Sequence, residues 1–503
     1  MLLPFNQEGA LCLMSSVRVR IAPSPSGFLH IGTAKIALMN WLYARKTEGK
    51  FILRLEDTDA ERTDEEFVRA MCEGFQWLGI DWDEGPAFGD EPEKGGHGPY
   101  RQSERLDIHR AAIGRLVDEG KAYRCFCTKE ALDAERERAR AEKRNPRYSG
   151  TCRGIDPEES ARRAKDERHV VRFRVPEGAT LIHDLVQGDV RIENSELDDF
   201  IIAKPNGDPI FHLAVVVDDG EMGISHVIRG DDHLTNATRH IMLFEALGYA
   251  VPQFAHLPMV LDERGKKYSK REHGANVLDW REDGYLPETI INYVALLGWT
   301  AGDDRELYTR EELVEAFSLE RLGKSAAKFD LKKIQWLNGQ HIRLMGVGEL
   351  CARLVPILEE AEFDLSGKDE DWLFRMTEIC HEKLSTLRDI VPMTDFFFVA
   401  PTDYEEKAVK KQWMKEDSLE RMAALEGLLG GSREWSADGL KARVEELMAQ
   451  SGLGMGKYVH PLRLALTGKS VGPGVFELTE LLGKEACRER MGKAMTYMKS
   501  LSV

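Results

Sequence analysis

The sequence has no stretch of about eighteen consecutive apolar residues, which excludes a bilayer-spanning helix. Residues 1–16 lack the basic start and continuous apolar run of a secretory signal. Basic charge is not in excess either: 69 Lys and Arg against 86 Asp and Glu give a net charge of −17. That balance excludes a chain that grips nucleic acid over its whole surface, but not one that confines basic contacts to a single face. Most of the eight cysteines are scattered singly (Cys12, Cys72, Cys351, Cys380 and Cys487), so no disulfide framework is expected. The expectation from these absences is a cytoplasmic protein. At 503 residues the chain has room for several domains with real cores.

What is present is concentrated first in Val17–Thr33. Val17, Val19 and Ile21 alternate with Arg18 and Arg20 at the strand period. Pro23, Pro25 and Gly27 then force an ordered loop, and His30 and Gly32 stand at the mouth of a helix whose apolar face carries Ile36, Met39, Leu42 and Tyr43. Gly49 is expected to end that helix, and Met14 is a possible alternative start because the first strand begins at Val17. A strand, a small-residue loop and a helix N-terminus form a phosphate site, since free N–H groups and the helix dipole both favour an anion. The loop is neither the Gly-x-Gly-x-x-Gly fingerprint nor a P-loop.

Further along, Phe51–Leu55 reads as a buried strand running into Glu56, Asp57 and Asp59 at its carboxyl end, where open α/β sheets bind ligands. Thr63 with Glu66 predicts a capping box for the next helix. An amphipathic helix is expected over Leu106–Glu119. Cys125-x-Cys127 with Cys152 suggests a zinc knuckle. Strands are expected at Val170–Val175, Val190–Ile192 and Phe200–Ile202, followed by a buried parallel-type strand Phe211–Val217 ending in Asp218-Asp219. Ile224–Ile228 and a helix through Leu243 complete the order expected of an α/β fold: a Rossmann-type parallel sheet split by an insertion. Lys267-Tyr268-Ser269-Lys270-Arg271 sits in a Gly-rich, charged stretch.

From Leu286 onward only helices are expected: Ile290–Leu297, Arg310–Phe317, Leu331–Leu337, Val347–Ala361, Trp372–Leu387, Leu419–Leu429, Asp438–Ala449, Pro461–Leu466 and Leu478–Leu501. Asn338-Gly339, Gly430-Gly431 and Gly472-Pro473-Gly474 punctuate them.

The pairing of Pro23-Ser-Pro-Ser-Gly-Phe-Leu-His-Ile-Gly-Thr33 with Lys267-Tyr-Ser-Lys-Arg271 resembles the two signature sequences of class I aminoacyl-tRNA synthetases. Phe51–Asp59 and Val227-Ile-Arg-Gly-Asp-Asp-His233 narrow the resemblance to the bacterial type of the glutamyl-tRNA synthetase branch. The likeness implies a domain plan of an N-terminal extension (1–16), a catalytic domain in two halves (17–115 and 201–255) split by an acceptor-end-binding insertion (116–200), a stem-contact region with the second signature (256–335) and an all-helical anticodon-binding region (336–503).

The same resemblance implies ATP with Mg²⁺, L-glutamate and tRNA(Glu) as partners, with tRNA(Gln) as a further possible one, no membrane, and a monomer. Catalytic positions carried across are His30, Gly32, Thr33, Lys267, Ser269 and Lys270, with His30, Gly32, Asp232, Lys267 and Lys270 on ATP. Glutamate falls to Arg20 as reader of the γ-carboxylate, with Ala22, Ser24, Glu56, Phe211 and Arg229 around it. Phe211 departs from the family's usual tyrosine, which restricts it to a shape role. Lys383 is the candidate anticodon reader. In the family a Cys-x-Cys is closed by a later Cys-x-His, but Gly154 stands where that histidine belongs, so Zn²⁺ on Cys125, Cys127 and Cys152 lacks a fourth ligand. The rival readings are a non-discriminating enzyme that also charges tRNA(Gln), another nucleotidyl transferase, and a catalytically silent RNA-binding relative.

Overall fold

The computed structural model describes residues 16–58, 64–143, 147–266, 268 and 276–501. The expected N-terminal extension before Ser16 lies outside them, and so do Asp59, Thr63, Lys267, Ser269 and Lys270. No helix among the described residues is long and apolar enough to cross a membrane. The chain forms two compact units: one runs to Asp279 and takes in Ile290–Asp330, and the other joins Trp280–Thr289 to everything from Leu331.

The first unit opens with strand β1 (Arg18–Ile21), helix α1 (Ile31–Lys46) and strand β2 (Lys50–Leu53), and β1 and β2 pair in parallel. Gly49 is not the helix cap. Thr47 caps α1, and Gly49 is small because a Cβ there would stand 2.4 Å from the Val17 carbonyl oxygen. Helix α2 (Glu65–Leu78) starts from Asp64, whose carboxylate accepts the Glu66 N–H, so the expected cap shifts by one residue. Helix α3 (Leu106–Asp118) leads to β3 (Ala122–Cys125), α4 (Lys129–Ala141), α5 (Pro157–Arg163) and β4 (Val170–Phe173). The hairpin β5 (Ala179–Asp184) and β6 (Gly188–Glu193) and the short strand β7 (Ile201–Ala203) follow. Strands β3, β4 and β7 make one antiparallel sheet, whereas the β5–β6 hairpin attaches elsewhere.

Phe211–Val217 is not a strand. It is the first part of helix α6 (Phe211–Glu221). Every residue from Leu213 to Asp219 is buried, and a run buried on all sides has no apolar period to separate strand from helix. Strand β8 (His226–Gly230), helix α7 (Leu234–Leu247) and strand β9 (Gln253–Leu257) follow, and β8 and β9 pair in parallel. The sheet order is β6-β5-β9-β8, with β5 parallel to β9. Ser225, just before β8, exchanges hydrogen bonds with Arg18, which brings β1 beside β8. The Rossmann-like parallel arrangement thus stands with α6 rather than a strand at its side. Its core packs Leu213, Val216 and Val217 of α6 against Ile241, Leu243 and Phe244 of α7. Two-residue strands β10 (Val260–Leu261) and β11 (Ala327–Lys328) pair in parallel, so strands do not stop altogether at Leu286.

The second unit is helical, around a core that includes Leu350, Leu354, Leu358, Met376 and Leu425. Asn338-Gly339 does not interrupt it: both lie inside the helix Leu331–Leu344. The buried Asn338 Oδ1 accepts from the Leu286 N–H at 2.9 Å and the Thr289 hydroxyl at 2.8 Å, and Nδ2 donates to the Ser385 carbonyl at 2.6 Å. A residue type that usually marks a turn is here a three-way tie between segments. The expected terminal helix breaks at Gly483, with φ +84°, into Val475–Leu482 and Lys484–Ser500. The helix around Pro461 begins earlier, at Gly456, and Ile390–Phe398 and Glu406–Gln412 are helices that periodicity did not signal.

Asn338→Ala leaves a buried N–H, hydroxyl and carbonyl without their partner. The expected cost is about 2–3 kcal/mol of unfolding free energy, read as a thermal midpoint lowered by roughly 5–10 °C. An unchanged midpoint would show that water replaces the amide at no cost.

Candidate functional site

The apolar residues of β1, Val19 and Ile21, are buried, and its arginines do not point to solvent either. Arg18 pairs with Glu84 at 2.7 Å, and Arg20, only 4 % exposed, faces inward. After Ile21 the chain is pinned by two strand-like bonds: the Arg54 N–H donates to the Ile21 carbonyl and the Glu56 N–H to that of Pro23, each at 3.0 Å. They hold Glu56 beside the loop. The loop ends at His30, the N-cap of α1, whose Nδ1 accepts the Gly32 N–H at 3.0 Å. With Nδ1 an acceptor, the proton of the neutral ring belongs on Nε2, which becomes a donor. Gly32 suits this cap because a Cβ would come within 3.2 Å of His30 Nδ1.

Charge is arranged around α6. Asp218 and Asp219 lie near its C-terminal end, where the helix dipole disfavours carboxylates, and both are buried. Arginines offset that cost. Asp219 accepts from Arg20 Nε (3.1 Å) and Nη2 (3.2 Å) and from Arg54 Nη1 (2.7 Å). Asp218 accepts from Arg105 Nε at 2.6 Å, lies 2.7 Å from His109 Nε2, and takes the Gln102 amide at 2.8 Å. Burial works to raise both carboxyls. Arg20 and then Arg54 outweigh it at Asp219, and His109, Arg54 and Arg105 do so at Asp218, holding both below the ordinary value. Glu56 behaves in the opposite way: burial pushes its carboxyl up to about 7, against the pull of Arg54 and Arg20. Asp57, by contrast, is spent on structure, accepting from the Ser103 N–H and hydroxyl.

A cavity of about 580 Å³ gathers these groups. Arg20, Ala22, Glu56, Phe211 and Arg229 line it, and so do His30, Gly32, Thr33 and Asp232. Ser24 does not; it is exposed on the loop. Lys267, Ser269 and Lys270 lie outside the described residues, but their neighbours do reach the site. The Tyr268 ring lies edge-on, 5.9 Å from the His30 ring, and Asn276 forms a bridge with the His30 backbone. Sequence reasoning missed Lys35, which lines the cavity, is 2 % exposed and donates to the Pro258 carbonyl at 2.8 Å. Burial pulls its pKa down to about 8. The available signal was one lysine inside an otherwise apolar helix face.

Cys125, Cys127 and Cys152 do come together, with sulfurs within 4.8 Å of one another. Gly154 is exposed with open space around it, so it offers the cluster nothing. The polar group beside the sulfurs is instead Tyr148, whose hydroxyl stands 3.3 Å from Cys125 Sγ and 3.9 Å from Cys127 Sγ. Its signal was a tyrosine four residues before Cys152. Burial and the neighbouring sulfurs push the Cys127 thiol up to about 12. As three thiols and a phenol these groups are neutral; gathered this closely they offer four donors that would lose their protons to a bound cation, and the number and softness of the donors suit zinc. In the second unit Lys383 is exposed, with Nζ donating to the Gly472 carbonyl.

Comparison with known proteins identifies the two parts of the chain. Residues 16–336 match the family model described as tRNA synthetases class I (E and Q), catalytic domain, and residues 349–495 match an anticodon binding domain. Glutamate--tRNA ligase 2 of Thermoanaerobacter pseudethanolicus is 42% identical over 494 residues, covering 97% of this chain and 100% of the relative. Glutamate--tRNA ligase 2 of Rubrobacter xylanophilus is 44% identical over 490 residues, covering 96% and 98%. The crystal structure of a glutamate tRNA ligase from Elizabethkingia meningosepticum in complex with its amino acid superposes with a TM-score of 0.87 at 33% identity, covering 96% of this chain and 99% of that one.

Proposed function

The chain belongs to the glutamate--tRNA ligases of the class I aminoacyl-tRNA synthetases, and from that premise we propose how its cavity carries out glutamylation. The reaction joins L-glutamate to tRNA at the expense of ATP. A carboxylate oxygen of glutamate attacks the α-phosphorus and pyrophosphate leaves. The 2′-hydroxyl of the terminal adenosine then attacks the glutamyl-adenylate and AMP leaves. Such chemistry calls for alignment and charge stabilisation more than for proton transfer.

One observation carries the reading. A histidine-capped helix N-terminus and two arginines with a carboxylate line one cavity, so a phosphate end and an amino-acid end face each other. His30 Nε2–H and the first turn of α1, with Gly32 and Thr33, donate to phosphate oxygens. Lys267 and Lys270, with Ser269 between them, neutralise the outer phosphates as negative charge moves onto them, and Asp232 lies on the nucleotide side. Mg²⁺ arrives with ATP, because phosphate charge this dense calls for a hard cation. Arg20 reads the γ-carboxylate. Its grip on Asp219 uses Nε and Nη2, and Nη1 is the nitrogen outside that pairing. A guanidinium has donors and no acceptors, so it suits a carboxylate better than an amide, whose NH2 it cannot accept from. Glu56 takes the α-ammonium group, Arg229 a carboxylate, Ala22 lines the cavity beside them and Phe211 forms a wall, whereas Ser24, exposed on the loop and off the cavity wall, is not among the contacts. Lys383 is the candidate contact to the anticodon, and residues 116–200 the contact to the acceptor end.

Charging of tRNA(Glu) and tRNA(Gln) with labelled glutamate tests the whole. Glutamylation of tRNA(Glu) is expected. A signal on tRNA(Gln) as well identifies a non-discriminating enzyme, and charging of neither with folded protein overturns the proposal.

Glu56 sets a pH dependence. Its raised value means that it gains a proton as pH falls below about 7, losing the charge that attracts the ammonium group. The ratio kcat/KM for glutamate reports the free enzyme and should therefore fall about tenfold per pH unit below about 7. In Glu56→Gln that inflection should vanish at a low, flat level. An identical profile in the variant would assign the titration elsewhere.

Cys125, Cys127, Cys152 and Tyr148 would hold Zn²⁺, tying the root of α4 to the loop before α5. Metal analysis of purified protein should find stoichiometric zinc, depleted in Cys127→Ser. A metal-free wild type rejects this assignment.

A further inference from the structure

Arg229 is held unlike the other arginines of the cavity. Arg20 and Arg54 are balanced by Asp219, but among the described residues no carboxylate pairs with Arg229. The guanidinium is nearly buried, 8 % exposed, and is gripped on all three nitrogens by neutral acceptors. Nε donates to His256 Nε2 at 3.1 Å, Nη1 lies 3.1 Å from His240 Nδ1, and Nη2 donates to the His233 carbonyl at 3.2 Å. Burial and then repulsion from Arg20 depress its pKa, which marks a cation short of an anion.

Each imidazole accepts only if its proton is kept on the far nitrogen. For His256 that nitrogen is Nδ1, which stands 2.5 Å from Asp184 Oδ2. Asp184 is itself fixed, its Oδ1 accepting from the Val186 and Gln187 N–H groups at 3.0 and 2.8 Å in the turn between β5 and β6. For His240 the far nitrogen is Nε2, which meets His212 Nδ1 at 3.2 Å. Burial lowers the pKa of both His240 and His256, so the rings are neutral.

We propose that Asp184 and His256 are positioning residues for Arg229: the carboxylate fixes the His256 tautomer, and the neutral ring orients the guanidinium while leaving its charge for the substrate carboxylate. A carboxylate in place of His256 would orient Arg229 equally well but cancel the charge that binds glutamate. Asp184 thus links the β5–β6 hairpin to the amino-acid end of the cavity. The inference rests on the reading of Arg229 as a substrate contact.

Steady-state glutamylation by the full chain tests it through Asp184→Asn. The amide keeps an acceptor for the turn but presents an N–H to His256, so the ring proton moves to Nε2 and faces the Arg229 Nε–H. The KM for glutamate is expected to rise about tenfold or more, while kcat and the KM for ATP stay within about threefold. In a His256→Gln background, which has no tautomer to fix, adding Asp184→Asn should change the glutamate KM by less than about twofold. An unchanged glutamate KM in Asp184→Asn, a joint rise of both KM values, or multiplicative effects in the double variant would each overturn the inference. If Asp184→Asn does not fold, His256→Leu removes the acceptor without adding charge and reads the same split. Arg229→Ala is the separate control: if it leaves the glutamate KM unchanged, the reading of the cavity fails rather than the positioning of Arg229.

Discussion

The carboxylate of Asp219 is the hinge of this site. It is 1 % exposed and is shared by Arg20 from β1 and Arg54 from the end of β2, the second of which is wholly buried. Without it two buried guanidiniums would stand close together with no counter-charge, at a desolvation cost of several kcal/mol. Sharing one carboxylate fixes both arginines relative to each other and to α6. Arg54 in turn lies 3.4 Å from Glu56, so the group assigned to the ammonium and the group assigned to the γ-carboxylate are placed by the same anion. Removing Asp219 therefore disturbs recognition at both ends of the amino acid together.

That constraint explains why Phe211–Glu221 has to be a helix. Neighbouring residues on a helix project about 100° apart, so Asp219 can reach Arg20 and Arg54 while Asp218 reaches Arg105, His109 and Gln102. On a strand the two carboxylates would point to opposite faces, and one set of buried cations would go unpaired. The three consecutive valines favour a strand locally, but burial on every side and the two ion networks decide otherwise. The sequence reading failed there because it took a continuous, valine-rich apolar run for a buried strand, and a fully buried segment has no period to tell it from a helix.

Elsewhere legibility follows how local the cause is. The strand, the loop and the histidine-capped helix at Val17–Lys46 were readable because prolines, glycines and alternation act within a few residues. Glu56 was marked by its place at the end of a strand, Arg20, Phe211 and Arg229 were readable only through resemblance, and the cavity does bring the four together. Asn338-Gly339 misled because a turn signal was answered by partners near residues 286 and 385. Lys35 and the Asp184–His256 pair were not readable as a site, since each acts on groups distant in the chain; Asp184 and His256 are 72 residues apart.

The two arginines assigned to glutamate illustrate two ways of keeping a buried cation in the wall of a cavity. Arg20 is neutralised, so what it offers a ligand is chiefly geometry: a donor in a fixed direction, which both oxygens of a carboxylate can meet but only the carbonyl end of glutamine's amide can. Arg229 is oriented by neutral acceptors, so what it offers is charge. A site built from two neutralised arginines would bind weakly, and one built from two unbalanced arginines would repel itself; the mutual repulsion already depresses Arg229. Assigning direction to one and charge to the other lets the cavity stay folded when empty and still gain from a carboxylate when filled. On this view the loss of a hydroxyl at Phe211 costs little, because neither direction nor charge depends on it: its ring lies beside His212, His233 and His240, where it shields the neutral acceptors of Arg229 from water.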